Sequence, residues 1–186
     1  AGANVWAVNG VAVCNAAGDR SGISLVADGA GAFATWTDDR AGAGASEAYM
    51  QRVAGANGAS LWTADGQLVA TGGSGVRCAP SPAASGGGIV VVWEDHRNGN
   101  GDIEAQRYDA NGVAQWAGDV ALSQATTDET DPVAAVDGAG GAVAGWRYWA
   151  GGGLVFGRAG RVSVAGAKLW PVDGVVLDSN PAMSPI

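Results

Sequence analysis

"VVWEDHRNGNGDIEAQRYDANGVAQW", residues 91–116, decides the fold, because its wording recurs along the chain. Acids, side-chain amides and glycines crowd the stretch between Trp93 and Trp116. Tryptophans in register with Trp116 fall at Trp6, Trp62 and Trp170, so that this series is spaced by 56, 54 and 54 residues. A second series, in register with Trp93, falls at Trp36 and Trp146, spaced by 57 and 53. Seven of the eight tryptophans belong to these two series, which marks an internal repeat of about 54 residues.

The repeat divides a single domain, 1–186, into units of about 1–56, 57–110 and 111–164, with a partial unit at 165–186. Each unit opens near a stretch such as "GASLWTADGQLV" (58–69), read as a short strand with a D-G turn. A variable polar loop follows, then a segment such as "SPAAS" (81–85) or "DPVAAVDG" (131–138). The most apolar strand comes next: "GAFATWTD" (31–38), "GGIVVVWED" (87–95) or "GGAVAGW" (140–146). The last is "EAYMQRV" (47–53), "DIEAQRYD" (102–109) or "LVFGRAGRV" (154–162). Short apolar runs bounded by Gly, Asp, Asn and Pro predict a four-stranded antiparallel meander per unit, an all-β chain. The run Ile89 to Trp93 lacks alternation, so its strand is expected to be covered on both faces. A small sheet covers both faces only by stacking on others of its kind. Four strands in a unit of this length point to a β-propeller-like array; a stacked β-solenoid is the alternative.

Composition agrees. The chain holds 32 glycines, 47% hydrophobic and only 15% charged residues, with a net charge of −8. Acidity disfavours nucleic-acid binding, and the sequence has no apolar run long enough to span a membrane. The opening "AGANVW" has no initiator Met or apolar leader, and the last unit stops at "DSNPAMSPI". A processed protein or a fragment is expected, since a propeller ring takes at least about four blades. Neighbouring blades of a longer chain, or other copies of this one, would complete the ring or stack.

The pattern W-x-D-x-R, then D-I-x-A-Q-R, then G-x-x-x-W resembles the β-propeller-type repeats of large secreted and cell-surface bacterial proteins. It is carried by Trp93, Asp95, Arg97, Asp102, Ile103, Ala105, Gln106, Arg107, Gly112 and Trp116. The match is good in the first two units and degenerate in the third. The resemblance implies an extracellular or surface location and an adhesive or scaffolding role; it implies no reaction.

Carboxylates and amides at close spacing offer the oxygen ligands calcium prefers, here Asp95, Asn98, Asn100 and Asp102, with Glu104 beside them. The spacing misses the EF-hand pattern, and the first unit carries Ala41 and Ala43 where Asn98 and Asn100 stand. No cofactor is therefore expected, with calcium as the alternative. The same positions read better as a hydrogen-bonded network. Asp95, Arg97, Asp102 and Gln106 have counterparts in Asp38, Arg40, Glu47 and Gln51, whereas the third unit substitutes Tyr148, Ala150, Phe156 and Gly160. Joint retention or loss is how such a network behaves, since a partly satisfied one is costly.

The seven tryptophans in register read as packing residues. Trp149 lies outside both series and, with Tyr148, is the candidate aromatic platform for a glycan. His96, the only histidine, reads as a solvated loop residue without partners for a triad. "GGSG" (72–75) and "GAGG" (138–141) lack the Lys and helix of a phosphate cradle. Cys14 is placed at a strand end and Cys78 in a loop, and a disulfide between them is expected for an exported protein. Together these readings describe a non-catalytic extracellular structural, adhesive or assembly module that self-associates. A carbohydrate-binding, lectin-like propeller and a fragment of a propeller glycoside hydrolase are the alternatives.

Overall fold

A computed structural model describes residues 5–42, 44–70, 75–178 and 182–183; most of the "GGSG" stretch lies outside them. The described chain is all β. No helix in it is long and apolar enough to cross a membrane. Three four-stranded antiparallel meanders follow one another. The first comprises β1 (Arg20–Ala27), β2 (Gly31–Asp38), β3 (Glu47–Ala54) and β4 (Gln67–Leu68). The second comprises β5 (Arg77–Ser85), β6 (Gly88–Asp95), β7 (Asp102–Tyr108) and β8 (Val120–Ser123). The third comprises β9 (Glu129–Val136), β10 (Ala142–Gly151), β11 (Leu154–Val162) and β12 (Val175–Val176), and β13 (Ala182–Met183) also pairs with β11.

The sheets pack face to face in series, as propeller blades do. Between the first and second lie Phe33, Met50 and Val69 against Ile89, Val91 and Trp93. Between the second and third lie Val90, Val92, Ile103 and Ala105 against Ala142, Ala144, Trp146 and Val162. Alternate residues of β6 thus face opposite neighbours, and Ile89 to Trp93 are all fully buried. The missing alternation in that run reflects a central blade. β10, with only one neighbouring sheet, alternates between buried and half-buried residues over Ala142 to Trp146. Each first strand carries a bulge with a left-handed residue at an equivalent place: Gly22 (φ 59°), Ala79 (φ 48°) and Asp131 (φ 55°).

The sheets are offset from the sequence units. The opening stretch of each unit supplies the outer strand of the preceding sheet: β4 follows Trp62 and pairs with β3, and β12 follows Trp170 and pairs with β11. Both are launched by an Asp-Gly turn with left-handed φ at both residues, Asp65–Gly66 (64°, 81°) and Asp173–Gly174 (61°, 75°). The segment Leu169–Leu177, read as an opening strand in need of a neighbouring edge, thus closes onto the third sheet of its own chain. The matching segment Val5–Val13 is not a strand. It lies against the first sheet, with Trp6 and Val11 side chains close over Gly58.

Candidate functional site

The polar residues of the opening stretch gather where the second strand of each sheet turns into the third. In the first sheet Asp38 is the hub. It accepts hydrogen bonds from Trp36 Nε1 (2.9 Å), Arg40 Nη2 (2.7 Å) and Nε (2.9 Å), and Arg20 Nε (3.3 Å). Burial alone would raise the Asp38 carboxyl, but the bonds from Arg40 and Trp36 outweigh it and hold it far below the usual range. Arg40 also lies 3.8 Å over the Tyr49 ring and donates to Asp65 O at 2.8 Å.

Asp95 repeats the hub in the second sheet, accepting from Trp93 Nε1 (3.2 Å) and Arg97 Nε (2.8 Å). Its carboxyl is also lowered, burial being outweighed by Arg97. Arg97 Nη2 lies 3.7 Å from Asp119 Oδ2, and Gln106 donates to Asp119 Oδ1 at 3.4 Å. Gln106 therefore reaches Arg97 through an aspartate that the sequence reading did not include. Gln51 instead bonds Thr63 O (2.9 Å) and accepts from Trp62 N (3.0 Å). Glu47 is bound across the seam to the buried Arg77 (2.7 Å), whose Nε lies 3.6 Å from Asp95 Oδ2. Arg77 ties Glu47 of the first sheet to the Asp95 hub of the second, and sequence reading missed it. Its signal was the recurrence of Arg at the start of the first strand, Arg20 and Arg77, 57 residues apart.

Asp102 accepts from Asn98 Nδ2 (2.8 Å) and Asn100 Nδ2 (3.2 Å), and Asn100 also bonds Ala125 O (3.0 Å) on the way to the third sheet. The four residues offered for calcium are occupied in this way: Asp95 with guanidinium and indole, Asp102 with the two amides. Glu104, on β7, is buried, and its carboxyl is pushed up to about 7 by burial and then by Asp95. A carboxyl near neutrality beside an ionised one is the pairing acid–base catalysts use. Here both residues are buried, at 7% and 3% exposure.

In the third sheet the hub is rebuilt with its charges moved, which corrects the reading that the network is lost there. Trp146 Nε1 donates to Glu129 Oε1 at 2.8 Å, and Ser123 Oγ donates to the same oxygen at 2.6 Å. Glu129 occupies the first-strand place held by Arg20 and Arg77, facing Tyr148 across the pair. Arg158 of β11 lies 3.6 Å over the Tyr148 ring and donates to Asp173 O at 2.9 Å, as Arg40 does to Asp65 O. The acid has moved from the second strand to the first, and the arginine from the loop to the third.

The Tyr148–Trp149 platform is half-buried. Trp149 Nε1 donates to Thr130 Oγ1 at 3.1 Å, and Arg147 lies 5.1 Å from its ring centroid. Trp149 nevertheless lines a cleft of about 370 Å³ with Asn100, Thr127, Asp128 and Gly151, between the second and third sheets.

Cys14 and Cys78 are free thiols, against the expected disulfide, because each is engaged in a different sheet. Cys14 donates to Asp38 at 3.9 Å and receives Arg40 Nη2. Cys78 lies within β5, not in a loop, opposite Glu94. Its thiol is pushed up to about 12 by burial and by Glu94. His96 is likewise no free loop residue: its Nε2 lies 2.6 Å from Glu94 Oε1. Cys78, Glu94 and His96 are the one group of three such ligands found among the described residues.

The opening tryptophans fasten one blade to the next. Trp6 Nε1 donates to Gly55 O (2.7 Å), Trp62 Nε1 to Ala110 O (3.0 Å) and Trp116 Nε1 to Val164 O (3.0 Å). In each case the acceptor lies in the turn after the third strand of the following sheet. Asn15 N donates to Asp65 Oδ1 just as Gln124 N does to Asp173 Oδ1. Residues 5–15 therefore sit on the first sheet as residues 115–124 sit on the third. Trp170 holds the same place in the third sheet, between β11 and β12, with no acceptor among the described residues.

No protein-family model matches the sequence, and no curated protein matches it. Among solved structures, the chain is similar to an endo-arabinase from Bacteroides thetaiotaomicron, with a TM-score of 0.42 and 15% identity, over 74% of this chain and 54% of that one. The chain thus spans about half of that protein's length.

Proposed function

We propose that this protein is a non-catalytic structural module, secreted or displayed at a cell surface, that assembles end to end through its terminal blades. The observation that carries the reading is the thrice-repeated tryptophan seam and a fourth tryptophan, Trp170, in position for another. The wording of the repeat, similar to that of secreted and surface bacterial proteins, supports the location. An incoming third sheet finds its matching seat on the first sheet of another copy. That seat is held by residues 5–15, whose Trp6 is 37% exposed, so association exchanges one segment for its equivalent. Light scattering across a concentration series tests this. The mass should climb above the 18.3 kDa of one chain and return to it in Trp170→Ala with unchanged melting. A mass of one chain at every concentration would remove the reading.

A second reading rests on the Trp149 cleft. An aromatic ring beside Asn100, Thr127 and Asp128 has the makeup of a sugar subsite, with polar groups to meet hydroxyls. Glycan-array binding lost in Trp149→Ala would favour it, and a blank array would leave the assembly reading alone.

A further inference from the structure

We infer that Cys78, Glu94 and His96 form a binding site for a borderline-soft divalent cation of the zinc class. The thiol sulfur, a carboxylate oxygen and an imidazole nitrogen lie within 4.8 Å of one another. The fold itself brings them together. Cys78 faces Glu94 across the β5–β6 pair, so their side chains share a face. His96 follows two residues after Glu94, on the same face by strand alternation, and its amide is fixed to Val76 O at 2.9 Å.

The surroundings hold the three in place. Glu94 Oε2 accepts from Asp131 N of the third sheet at 3.2 Å, which orients Oε1 toward His96. Gly101 lets the loop close over the ring: a Cβ there would stand 3.3 Å from His96 Cε1 and 2.7 Å from Glu129 O. One sulfur, one nitrogen and one oxygen suit a tetrahedral ion that keeps its fourth position for water, whereas calcium and magnesium call for oxygen. Binding replaces the Glu94–His96 contact with two metal bonds and releases the thiol proton to solvent.

Comparison with the other blades separates this trio from the scaffold. The equivalent positions are Ser21, Thr37 and Asp39 in the first sheet and Thr130, Arg147 and Trp149 in the third. Those sets settle into ordinary contacts, Asp39 with Ser46 and Thr130 with Trp149. The sheet geometry therefore has no need of Cys, Glu and His at these places. Their joint presence in the central blade is what a metal site explains.

Titration of the full chain with Co2+ tests the site. A thiolate-to-cobalt absorption band in the near ultraviolet should saturate at one ion per chain and vanish when Zn2+ is added. Cys78→Ser should abolish the band, and His96→Gln should weaken binding by at least about tenfold. Cys14→Ser, the control for the other thiol, should leave the band intact. Absence of the band, its survival in Cys78→Ser, or its loss in Cys14→Ser would overturn the assignment. Should Cys78→Ser fail to fold, His96→Gln decides, because His96 is half-exposed: unchanged affinity there sinks the site.

Discussion

Arg77 is almost wholly buried, yet it touches a carboxylate on each side, Glu47 of the first sheet and Asp95 of its own. Guanidinium and carboxylate groups buried together stabilise only while the set stays whole, since removing one member leaves a charge without compensation. Arg97→Ala removes the strongest partner of Asp95 and should cost about 1–3 kcal/mol in a denaturant melt; a change near zero would mean the hub does not hold the blade. Glu104 sets the opposite pH trend. Its carboxyl is raised from the ordinary 4.5 to about 7, so the folded chain binds a proton more tightly than the unfolded one. Its stabilising contribution is complete below about pH 4.5 and is lost as pH rises through 7. Glu104→Gln should therefore gain roughly 1–3 kcal/mol over the parent at pH 8 and little at pH 4. Equal gains at both would assign Glu104 no titration in this range. Asp38 and Asp95, both lowered, act the other way, and their stabilisation fades only as pH falls below about 4.

At the scale of elements, the outer strand is where sequence and structure part. The tryptophan spacing reveals the repeat, because indole rings at a fixed register are packed alike: Trp36, Trp93 and Trp146 all lie buried on second strands. Nothing in that spacing says which sheet a strand joins, and the unit boundary drawn at residue 57 cuts β4 from its own blade. The third-sheet hub was hidden for a related reason. Its acid and arginine, Glu129 and Arg158, stand on the first and third strands rather than at the end of the second and in its loop like Asp95 and Arg97, so a motif aligned residue by residue shows only loss. The Cys78–Glu94–His96 group depends on cross-strand register, which a linear reading does not supply. The seam tryptophans carry a graded prediction. Trp116, 8% exposed between the second and third sheets, should cost about 3–5 kcal/mol when cut to Ala. Trp6, on the open side of the first sheet, should cost no more than about 1 kcal/mol. Equal costs in thermal or denaturant unfolding would contradict the inside-to-edge order of the blades.

For the whole molecule, the central blade is covered on both faces by the described residues and the outer two are not. The first is partly covered by residues 5–15, while the third exposes Val133, Val172, Val176 and Leu177. Unpaired strand edges and apolar faces of this kind invite a further copy. The all-β class, the four-stranded meander and the stacking of like sheets were legible in the sequence, since turn residues and apolar runs are local signals. What the faces bind was not, because that depends on which segment ends up over which sheet. Hydrogen exchange of the tryptophan indole Nε1–H groups, followed by NMR at rising protein concentration, is the sharpest test of end-to-end assembly through the tryptophan seam. Trp36, Trp93 and Trp146 should exchange slowest, Trp62 and Trp116 more slowly than Trp6, and Trp170 at the solvent rate in dilute solution, becoming protected as chains associate. A Trp170 indole as protected as that of Trp116 in the dilute monomer, or one that stays unprotected at every concentration, would contradict it.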